Sequence, residues 1–418
     1  MDGRTDFDRL RVWRDEAVAR ALSWYRAVAT DRRPAKFRIA ATIPVDIAPE
    51  GAEEAALWPV LERATPAFLE RWRAIREEGV DLGPRVAPSL LDLCHALATR
   101  MLARCTFCRW ECGIDRTRPG RPGACRLAAE SRVACAFPHL GEELVFRGLR
   151  GSGTIFFTSC NMRCAFCQNG DISTDRDNGE PVDDEDLATL VWLLRRRGCH
   201  NINFVGGEPA VHLHRITGAI ALLAAGFVPG DRGEALRRRR IFDPVTPPPD
   251  RPVGLYAGGF NAPVLWNSNM YLGEPVMRLL RILVDVWLPD FKFGPGRCAV
   301  TLARTPRYFE TVTGCLELLA EWEEDVLVRH LVMPNHVDCC TGPVLEWLAR
   351  HLPAAPVNIM DQYRPDMFAD PGSPHFLERY RGIARRPGAR ELDAARARAR
   401  KLGLHFEEVT FERRTRPG

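Results

Sequence analysis

The sequence predicts an α/β protein built on a partial (βα)6 TIM-like barrel, with a helical N-terminal extension and a small Cys-rich metal-binding segment. From residue 151 onward, short β-type runs alternate with helical segments, which is the pattern of parallel βαβ units. About six such units fit, fewer than a closed eight-fold barrel needs. The residues before them place apolar side chains at helical spacing and then bring four cysteines close together.

The composition excludes several classes of protein. The 418-residue chain is 46% apolar and carries a formal net charge of +4, with no long basic block that would indicate nucleic acid as a partner. No apolar run approaches the roughly 20 residues that cross a bilayer, and the first residues lack the apolar core of a secretion signal. We therefore expect a cytoplasmic protein with no membrane partner. In that compartment its 14 cysteines point to metal or catalysis before disulfides.

Four regions follow one another along the chain. We predict a helical N-terminal extension over residues 1–103, a Cys-rich metal-binding segment over 104–150, the barrel over 151–365 and a C-terminal extension over 366–418. The C-terminal extension combines a helix from Glu391 to Leu402 with the strand-like run LHFEEVTFE. Within the barrel, the Arg- and Pro-rich residues 229–252 predict an exposed insertion.

The strands of the predicted barrel are apolar runs that end in polar residues or glycine. In chain order they are TIFFTSC, NINFVGG, APVLWNS, VDVWLPDFKF, DVLVRHLVMP and VNIMDQY. Helical runs such as DEDLATLVWLLRRR separate them. Because the carboxyl ends of parallel strands gather at one face, the residues that follow these strands are the candidates for an active site.

Three cysteines follow the first strand at C-x3-C-x2-C spacing, namely Cys160, Cys164 and Cys167. Thiolates are the usual ligands of iron–sulfur clusters, and a four-iron cluster held by three of them leaves one iron open to another ligand. Structural zinc sites are closed by four ligands, so a triad without a fourth cysteine nearby favours the cluster. The alternatives are a zinc site completed by a distant histidine and free buried thiols.

The second strand ends in Gly206, Gly207, Glu208 and Pro209. Two glycines allow close approach to the backbone, and a carboxylate complements an ammonium group, although such a turn also ends many ordinary strands. Short polar side chains follow the third strand and suit either a ligand or a polar turn. These side chains are Asn267, Ser268 and Asn269.

Lys292 ends the fourth strand in a chain whose only other lysines are Lys36 and Lys401. The use of a compact ammonium in place of arginine there predicts a binding role, with Asp290 ordering the lysine or binding a cation. A surface ion pair is the alternative. Polar groups that follow the last two strands are predicted to face the same end of the barrel, where they would contact a ligand. Hydrogen bonding within the structure is an equal alternative for them. They are Arg329, His330, Gln362, Tyr363 and Arg364.

A second cysteine set precedes the barrel at C-x2-C-x3-C-x12-C spacing, among glycines and prolines. Its members are Cys105, Cys108, Cys112 and Cys125. Four thiols in so small a segment predict a metal, and both zinc and an iron–sulfur cluster accept four thiolates. An auxiliary cluster is slightly favoured over structural zinc, since the triad already requires iron–sulfur assembly.

The remaining cysteines are predicted to be buried thiols, since they stand mostly alone in apolar or helical surroundings. They are Cys94, Cys135, Cys199, Cys298, Cys315, Cys339 and Cys340. The adjacent pair Cys339 and Cys340 follows a strand end near the expected site. A hydrogen-atom donor is therefore a further interpretation of that pair.

These motifs together resemble the radical S-adenosylmethionine (SAM) superfamily. The triad follows the first strand and has an aromatic residue, Phe166, just before its last cysteine. In order, GSGTIFFTSCNMRCAFCQNGDIS, NINFVGGEP, VLWNSNMY, VDVWLPDFK, RHLVMPNH and VNIMDQYRP are similar to the branch related to pyruvate formate-lyase activating enzymes. The similarity covers residues 105–405.

The resemblance implies the cofactors, which are a [4Fe-4S] cluster and SAM, and the roles of the site residues. The amino and carboxylate groups of SAM would chelate the open iron, with Phe166 near the adenine. The carbonyls of the Gly-Gly-Glu-Pro motif and the Glu208 carboxylate would receive the methionine ammonium. Asn267 and Ser268 would meet the ribose or carboxylate, and Lys292 would reach the carboxylate.

The resemblance further implies a radical SAM oxidoreductase. An electron from a flavodoxin- or ferredoxin-type donor would drive reductive cleavage of SAM, and the resulting 5′-deoxyadenosyl radical would take hydrogen from a small metabolite or peptide. One alternative is an activase that makes a glycyl radical on a partner enzyme. The N-terminal extension and the second cysteine set depart from compact activases and favour the first interpretation. The other alternative is a non-enzymatic Cys-rich iron–sulfur or zinc protein.

Overall fold

The computed structural model describes residues 5–242, 249 and 253–411. Its strands are β1 Ser131–His139, β2 Ser152–Phe157, β3 Glu180–Val182, β4 Ile202–Gly206, β5 Leu255–Tyr256, β6 Gly259–Phe260, β7 Val264–Ser268, β8 Val286–Pro289, β9 Val328–Leu331 and β10 Val357–Met360.

The helices before and within the barrel are α1 Glu16–Ala21, α2 Ser23–Ala29, α3 Lys36–Ala40, α4 Glu54–Glu77, α5 Leu90–Arg100, α6 Leu144–Arg147, α7 Gly170–Thr174, α8 Asp184–Arg196, α9 Leu213–Ala224, α10 Arg232–Arg238, α11 Glu274–Leu283, α12 Cys298–Ala303, α13 Tyr308–Glu321 and α14 Gly342–His351. After the barrel come α15 Ala389–Lys401 and α16 Glu407–Thr410. Short 3-10 helices span Arg11–Arg14, Pro49–Gly51, Pro209–His212, Met367–Ala369 and Glu378–Ile383, and Val337–Thr341 is a π-helical turn.

Six parallel strands form the barrel wall. Strands β2, β4, β7 and β8 are hydrogen-bonded in that order, and β9 pairs with β10. Parallel bridges from Trp287 to Val326 and from Asp290 to Arg329 join β8 to the β9 segment. The predicted partial (βα)6 barrel is therefore confirmed, with each of the six predicted runs providing one strand.

Two antiparallel strands extend the β2 edge of the sheet and were not predicted. Strand β1 pairs with β2, and the short β3 pairs with β1. The small hairpin of β5 and β6 lies between α10 and β7. Within the predicted insertion, residues 229–252, the structure contains α10, while residues 243–248 and 250–252 lie outside the described residues.

Local signals explain where the larger helices begin. Helix α5 starts with a capping box, in which the Ser89 hydroxyl accepts from the Asp92 amide at 3.3 Å and the Asp92 carboxylate accepts from the Ser89 amide at 2.8 Å. Asp183 caps α8 by accepting from the Asp186 amide at 2.6 Å. The helix then buries an apolar stripe that includes Leu187 and Leu194.

The N-terminal helices dock beneath the barrel, at the amino ends of its strands. Trp24 donates its indole N–H to Asp285, which directly precedes β8, at 2.9 Å. The Tyr25 amide donates to Asp325, which lies before β9, at 2.8 Å. The Tyr25 hydroxyl accepts from Asn201, which directly precedes β4, at 2.8 Å. This end of the barrel is opposite the face where the site is expected.

The C-terminal residues pack against the last strand. The Val357 amide of β10 donates to the His405 carbonyl at 2.8 Å. The strand expected in LHFEEVTFE is wrong, since this run forms α16 instead. Phe406 and Val409 are buried three residues apart, which is helical spacing. Among the described residues, every helix is too short or too polar to cross a bilayer.

Candidate functional site at the carboxyl ends of the strands

The cysteine triad occupies the loop that follows β2. Cys160 is buried, whereas Cys164 and Cys167 are partly exposed. The Cys160 sulfur accepts from the Met162 amide at 3.3 Å and lies 3.6 Å from the side-chain amide of Asn269. Donors aimed at a sulfur stabilise a thiolate, so the loop is built to carry negative charge on Cys160.

The thiols of the triad need a cation to remain ionised. Burial raises the pKa of Cys164 to about 12 and also raises those of Cys160 and Cys167. A coordinating metal deprotonates a thiol outright, which overcomes such a shift. Among the described residues, the three sulfurs do not lie within 4.8 Å of one another, as the ligands of a single ion would. Thiolates that each bind a different iron of a cluster need not lie as close together as the ligands of a single ion.

The two glycines of the Gly-Gly-Glu-Pro motif pack against the backbone of the triad loop. A Cβ on Gly207 would lie 1.5 Å from the Ser159 carbonyl oxygen, and Gly206 has a φ of +118° with Phe157 directly against it. The Gly207 amide donates to Phe157 at 2.9 Å, and the Glu208 amide donates to Ser159 at 3.0 Å. The glycines therefore allow a close backbone-to-backbone contact that joins the ends of β2 and β4.

Glu208 joins this motif to the end of β7. Its buried carboxylate accepts from the Ala210 amide at 3.2 Å, the Ser268 hydroxyl at 2.9 Å and the Asn269 amide at 3.1 Å. Burial raises the pKa of Glu208 to about 7, although these hydrogen bonds oppose the shift. Pro209 is the first residue of the following 3-10 helix. Glu208 thus fixes the end of β4 relative to the end of β7.

A buried chain of charges crosses the ends of β7, β8 and β9. Lys292 donates to Asp290 at 2.6 Å, Asp290 accepts from Arg329 at 2.9 Å, and Arg329 lies 3.4 Å from Glu142. Burial alone would raise the pKa of Asp290, but Arg329 and Lys292 outweigh it and lower that pKa. Arg329 also donates to the side-chain oxygen Oδ1 of Asn267, while the Asn267 side-chain N–H2 is buried without a partner among the described residues.

Lys292 faces the triad as well as its ion-pair partner. Its positive charge acts to lower the pKa of Cys164, Cys167 and Glu208, against the larger effect of burial. An ammonium has three N–H donors, and within the described part of the chain Asp290 is the hydrogen-bond acceptor for one of them. A cation is therefore held between the cysteine loop and the Gly-Gly-Glu-Pro motif.

An aromatic wall flanks the same loop. The ring of Phe166 lies 5.5 Å from that of Tyr363 and 6.1 Å from that of Phe293, measured between centroids. The Tyr363 hydroxyl donates to the Ile383 carbonyl at 2.7 Å, which fixes the orientation of its ring. Residues that follow β2, β8 and β10 thus meet in one apolar surface beside the triad.

The other polar groups predicted for the mouth have structural partners or lie at the surface. His330 is buried, and its two ring nitrogens lie 2.7 Å from the Phe291 carbonyl and 2.9 Å from the Thr341 hydroxyl. Gln362 and Arg364 are exposed. The structural interpretation therefore accounts for His330.

The second cysteine set packs directly on the triad loop. The Ser159 hydroxyl donates to the Cys125 carbonyl, and Trp110 donates to the Asn161 carbonyl at 2.7 Å. Arg163, inside the triad loop, donates to the Ala124 carbonyl at 2.8 Å. Among the described residues, no three of the four sulfurs in this set lie within 4.8 Å of one another. They share that wider spacing with the triad.

Sequence reasoning missed two groups of residues near the strand ends. Glu142 follows β1 and accepts from the Asn203 side chain at 3.2 Å, which places a buried carboxylate under the site. The other group comprises Cys298, His336, Cys339 and Cys340, whose ligand atoms all lie within 4.8 Å of one another. In the sequence, the signal for this group is that its ligands lie on the two loops that follow β8 and β9, which are adjacent strands of the barrel. The prediction of buried thiols is wrong for Cys339, which is exposed, and for Cys298 and Cys135, which are partly exposed.

Comparison with known proteins supports the family suggested by this geometry. The family model for the radical SAM superfamily matches residues 154–348. The chain is 34% identical over 391 residues to Uncharacterized protein MJ0674 of Methanocaldococcus jannaschii, covering 92% of this chain and 98% of that protein. The match therefore extends beyond the barrel into most of the N-terminal half.

Solved structures resemble the chain more distantly. Streptococcus suis SuiB bound to S-adenosylmethionine is 9% identical over 60% of this chain and 48% of SuiB, with a TM-score of 0.37. The native anSMEcpe structure with bound AdoMet is 12% identical over 53% of this chain and 56% of that one, with a TM-score of 0.33. The chain thus spans about half the length of each. With the family model and the full-length relative together, the chain belongs to the radical SAM superfamily.

Proposed function

We propose that the chain is an enzyme that cleaves SAM reductively and uses the resulting radical to take hydrogen from a small metabolite or peptide. Its superfamily uses a [4Fe-4S] cluster and SAM, and these are its cofactors. The proposal assigns the cluster to Cys160, Cys164 and Cys167. The observation that carries it is the meeting of the triad, the Gly-Gly-Glu-Pro motif and Lys292 at the carboxyl ends of parallel strands.

The polar residues of this face suit the methionine part of SAM. When bound, the reduced cluster supplies the electron that breaks the S–C5′ bond of SAM and yields a 5′-deoxyadenosyl radical. Lys292 orients the SAM carboxylate by a charge-assisted hydrogen bond. Asp290 holds the Lys292 ammonium in place and is itself held by Arg329. The unpaired Asn267 N–H2 group supplies a further donor. The partly exposed Gly206 and Gly207 offer carbonyls to the SAM ammonium.

The aromatic wall suits the adenine and the exclusion of water. Phe166, Phe293 and Tyr363 are all buried, so their rings form an apolar surface beside the triad. Flat rings of this kind stack on a purine. Excluding water there protects a reactive carbon radical from side reactions.

The second cysteine set, in this proposal, holds an auxiliary cluster rather than zinc. Support comes from its direct packing on the triad loop. The proposal includes a flavodoxin- or ferredoxin-type electron donor, as is usual in this superfamily. It also places the protein in the cytoplasm, where thiols stay reduced.

Anaerobic reconstitution tests the function. The full chain, loaded with iron and sulfide and supplied with SAM and a reductant, is expected to form 5′-deoxyadenosine, measured by chromatography. Cys164→Ala should abolish product formation and remove about half of the cluster absorbance, because the proposed auxiliary cluster stays in place. The control Cys94→Ala changes a buried thiol of α5 and should retain both. A cluster-loaded chain that bound SAM and formed no 5′-deoxyadenosine would overturn the proposal.

The substrate class is tested by transfer of deuterium. A cell extract from a culture grown in heavy water is divided into a small-molecule and peptide fraction and a protein fraction, and each is incubated with the enzyme. Deuterium in 5′-deoxyadenosine is expected from the first fraction. Transfer from the protein fraction alone would contradict the proposed substrate and indicate an activase of a partner enzyme.

A further inference from the structure

A second metal-binding group lies on the rim of the barrel, apart from both cysteine sets described above. We propose that Cys298, His336, Cys339 and Cys340 bind one zinc ion. Their three sulfurs and one ring nitrogen all lie within 4.8 Å of one another. This inference is independent of the proposed function, because it rests on different residues and is tested by metal content.

The distances between the ligand atoms fit a tetrahedron around a single ion. The Cys298 sulfur lies 3.6 Å from the Cys339 sulfur and 3.5 Å from Nδ1 of His336. Nδ1 lies 3.3 Å from the Cys339 sulfur and 3.9 Å from the Cys340 sulfur, and the two adjacent sulfurs are 3.9 Å apart. Zinc bonds of about 2.3 Å to sulfur and about 2.0 Å to nitrogen give tetrahedral edges of roughly 3.5 to 3.8 Å.

Two neighbouring loops are shaped to bring these ligands together. The π-helical turn Val337–Thr341 presents two consecutive cysteines to the same point, and such turns often mark functional sites. Thr341 in this turn is held by His330 of β9 at 2.9 Å. The loop after β8 approaches closely because Gly294 faces Cys339, where a Cβ would lie 2.1 Å from the carbonyl oxygen.

The spacing distinguishes zinc from the other species that cysteines hold. A four-iron cluster separates its thiolates because each binds a different iron, whereas the four ligand atoms of this group all lie within 4.8 Å of one another. A disulfide would need its sulfurs about 2.05 Å apart, and three thiols with an imidazole leave one thiol over. Four protein ligands of the Cys3His type form a closed, structural zinc site.

The charge and the position of the group suit such a site. Three thiolates, a neutral imidazole and Zn²⁺ carry a net charge of −1. Arg297 and Arg379 line the cavity next to Cys298 and His336 and place positive charge on this side of the group. The ion would cross-link the ends of β8 and β9, fixing the loop that also carries Lys292.

Metal content of the purified full chain tests the proposal. Zinc and iron are measured by mass spectrometry in wild type, Cys298→Ser, Cys339→Ser and, as a control, Cys315→Ser. The first two variants are expected to lose one zinc per chain and keep their iron, while Cys315→Ser keeps both metals. Cys108→Ser is expected to keep this zinc, which separates the site from the second cysteine set. Unchanged zinc, or loss of iron in Cys298→Ser, would overturn the proposal.

Cobalt substitution keeps the test decisive if a variant folds poorly. Adding Co²⁺ to the zinc-depleted wild-type chain should give the absorption bands of a tetrahedral thiolate site, at one equivalent. His336→Cys should retain the ion with shifted bands, because a fourth thiolate replaces the imidazole. Wild-type protein that binds no Co²⁺ in this geometry, or His336→Cys bands identical to wild type, would contradict the assignment.

Discussion

At the scale of single residues, Lys292 is the residue that we propose to bind the SAM carboxylate. It is one of three lysines in a chain rich in arginine, and it lies between a carboxylate and the cysteine triad. The Asp290 and Arg329 pair fixes its position, since both charges are largely shielded from water, with side chains 18% and 15% exposed, and compensate each other. A ligand can then reach the remaining N–H donors of the Lys292 ammonium from one side only.

Replacing Lys292 should weaken SAM binding while leaving the cluster in place. We expect Lys292→Met to raise the dissociation constant of SAM by about tenfold to a hundredfold, because a charge-assisted hydrogen bond contributes roughly 1.5–3 kcal/mol. Equilibrium dialysis with labelled SAM on the reconstituted chain measures this. Lys401→Met, at an exposed lysine, is the matched control and should bind SAM as wild type does. Equal affinity in both variants would remove Lys292 from the SAM site.

The sequence predicted residues whose chemistry is visible locally. The triad, the Gly-Gly-Glu-Pro motif and Lys292 each follow a recognisable strand. Arg329 and Glu142 could not be paired from the sequence, since they are 187 positions apart and meet only when β9 reaches the β1 end. The group that we propose to bind zinc could not be assembled from the sequence for the same reason, because Cys298 and Cys339 lie 41 positions apart on different loops.

At the scale of elements, the ends of β2 and β4 form one unit. The Gly207 position touches the Ser159 carbonyl, and two backbone hydrogen bonds join the motif to the triad loop. Cys160 directly follows Ser159 in the sequence. Any displacement of the β4 end therefore moves the first cysteine of the triad.

A methyl group at Gly207 should displace the triad loop. Gly207→Ala places a Cβ 1.5 Å from a carbonyl oxygen, so the backbone must shift, and we expect a loss of about 2–4 kcal/mol in the free energy of unfolding. Cluster content after reconstitution should fall as well. Denaturant titration and iron analysis measure the two effects.

The matched control is Gly314→Ala, in the middle of α13, where a Cβ would meet nothing within 4 Å. This change should stabilise the chain slightly, by about 0.5–1 kcal/mol, because alanine favours a helix. If Gly207→Ala behaved like Gly314→Ala, the close packing of the two strand ends would be wrong.

All six parallel strands could be predicted because each is a buried apolar run with a clear end. Strand β1 was missed because its alternation is broken by a register shift between Val133 and Cys135, and its pairing with β2 is not visible locally. The C-terminal run LHFEEVTFE was misread because its alternating apolar residues suit a strand. Packing against β10 selects the three-residue spacing of a helix.

At the scale of the whole molecule, the N-terminal helices and the barrel share buried polar contacts. Lys36 at the start of α3 forms an ion pair with Glu324 at 2.6 Å, and both side chains are 1% exposed. Asp285 accepts from the Lys36 amide and from Trp24, each at 2.9 Å. These contacts cover the amino ends of the strands, so the face at their carboxyl ends is the one that can hold a reaction site.

Breaking the buried ion pair should loosen this docking. Lys36→Met leaves the Glu324 carboxylate buried without its partner, and we expect a loss of about 3–5 kcal/mol in the free energy of unfolding. Tryptophan fluorescence in a denaturant titration measures it. Arg63→Met breaks the exposed pair with Asp46 and should change stability by about 0.5 kcal/mol or less. Comparable losses in the two variants would contradict the buried docking contact.

The same interface predicts a dependence of stability on pH. Burial raises the pKa of Asp325 to about 7, so the folded chain binds this proton more tightly than the unfolded chain does. The contribution of Asp325 to the free energy of unfolding should therefore fall as pH rises from about 4 to about 7, and then level off. Asp325→Asn should remove that part of the slope, as measured by denaturant titrations across this range. An unchanged slope would show that Asp325 titrates normally.

The most direct test of the central claim is electron–nuclear double resonance on the reduced full chain with SAM labelled at its amino nitrogen and carboxylate. The proposed site predicts magnetic coupling from both labels to a [4Fe-4S] cluster, because SAM would bind the iron that Cys160, Cys164 and Cys167 would leave open. Cys160→Ala should abolish that coupling. SAM bound to the reduced wild-type protein with neither label coupled to the cluster would contradict the account.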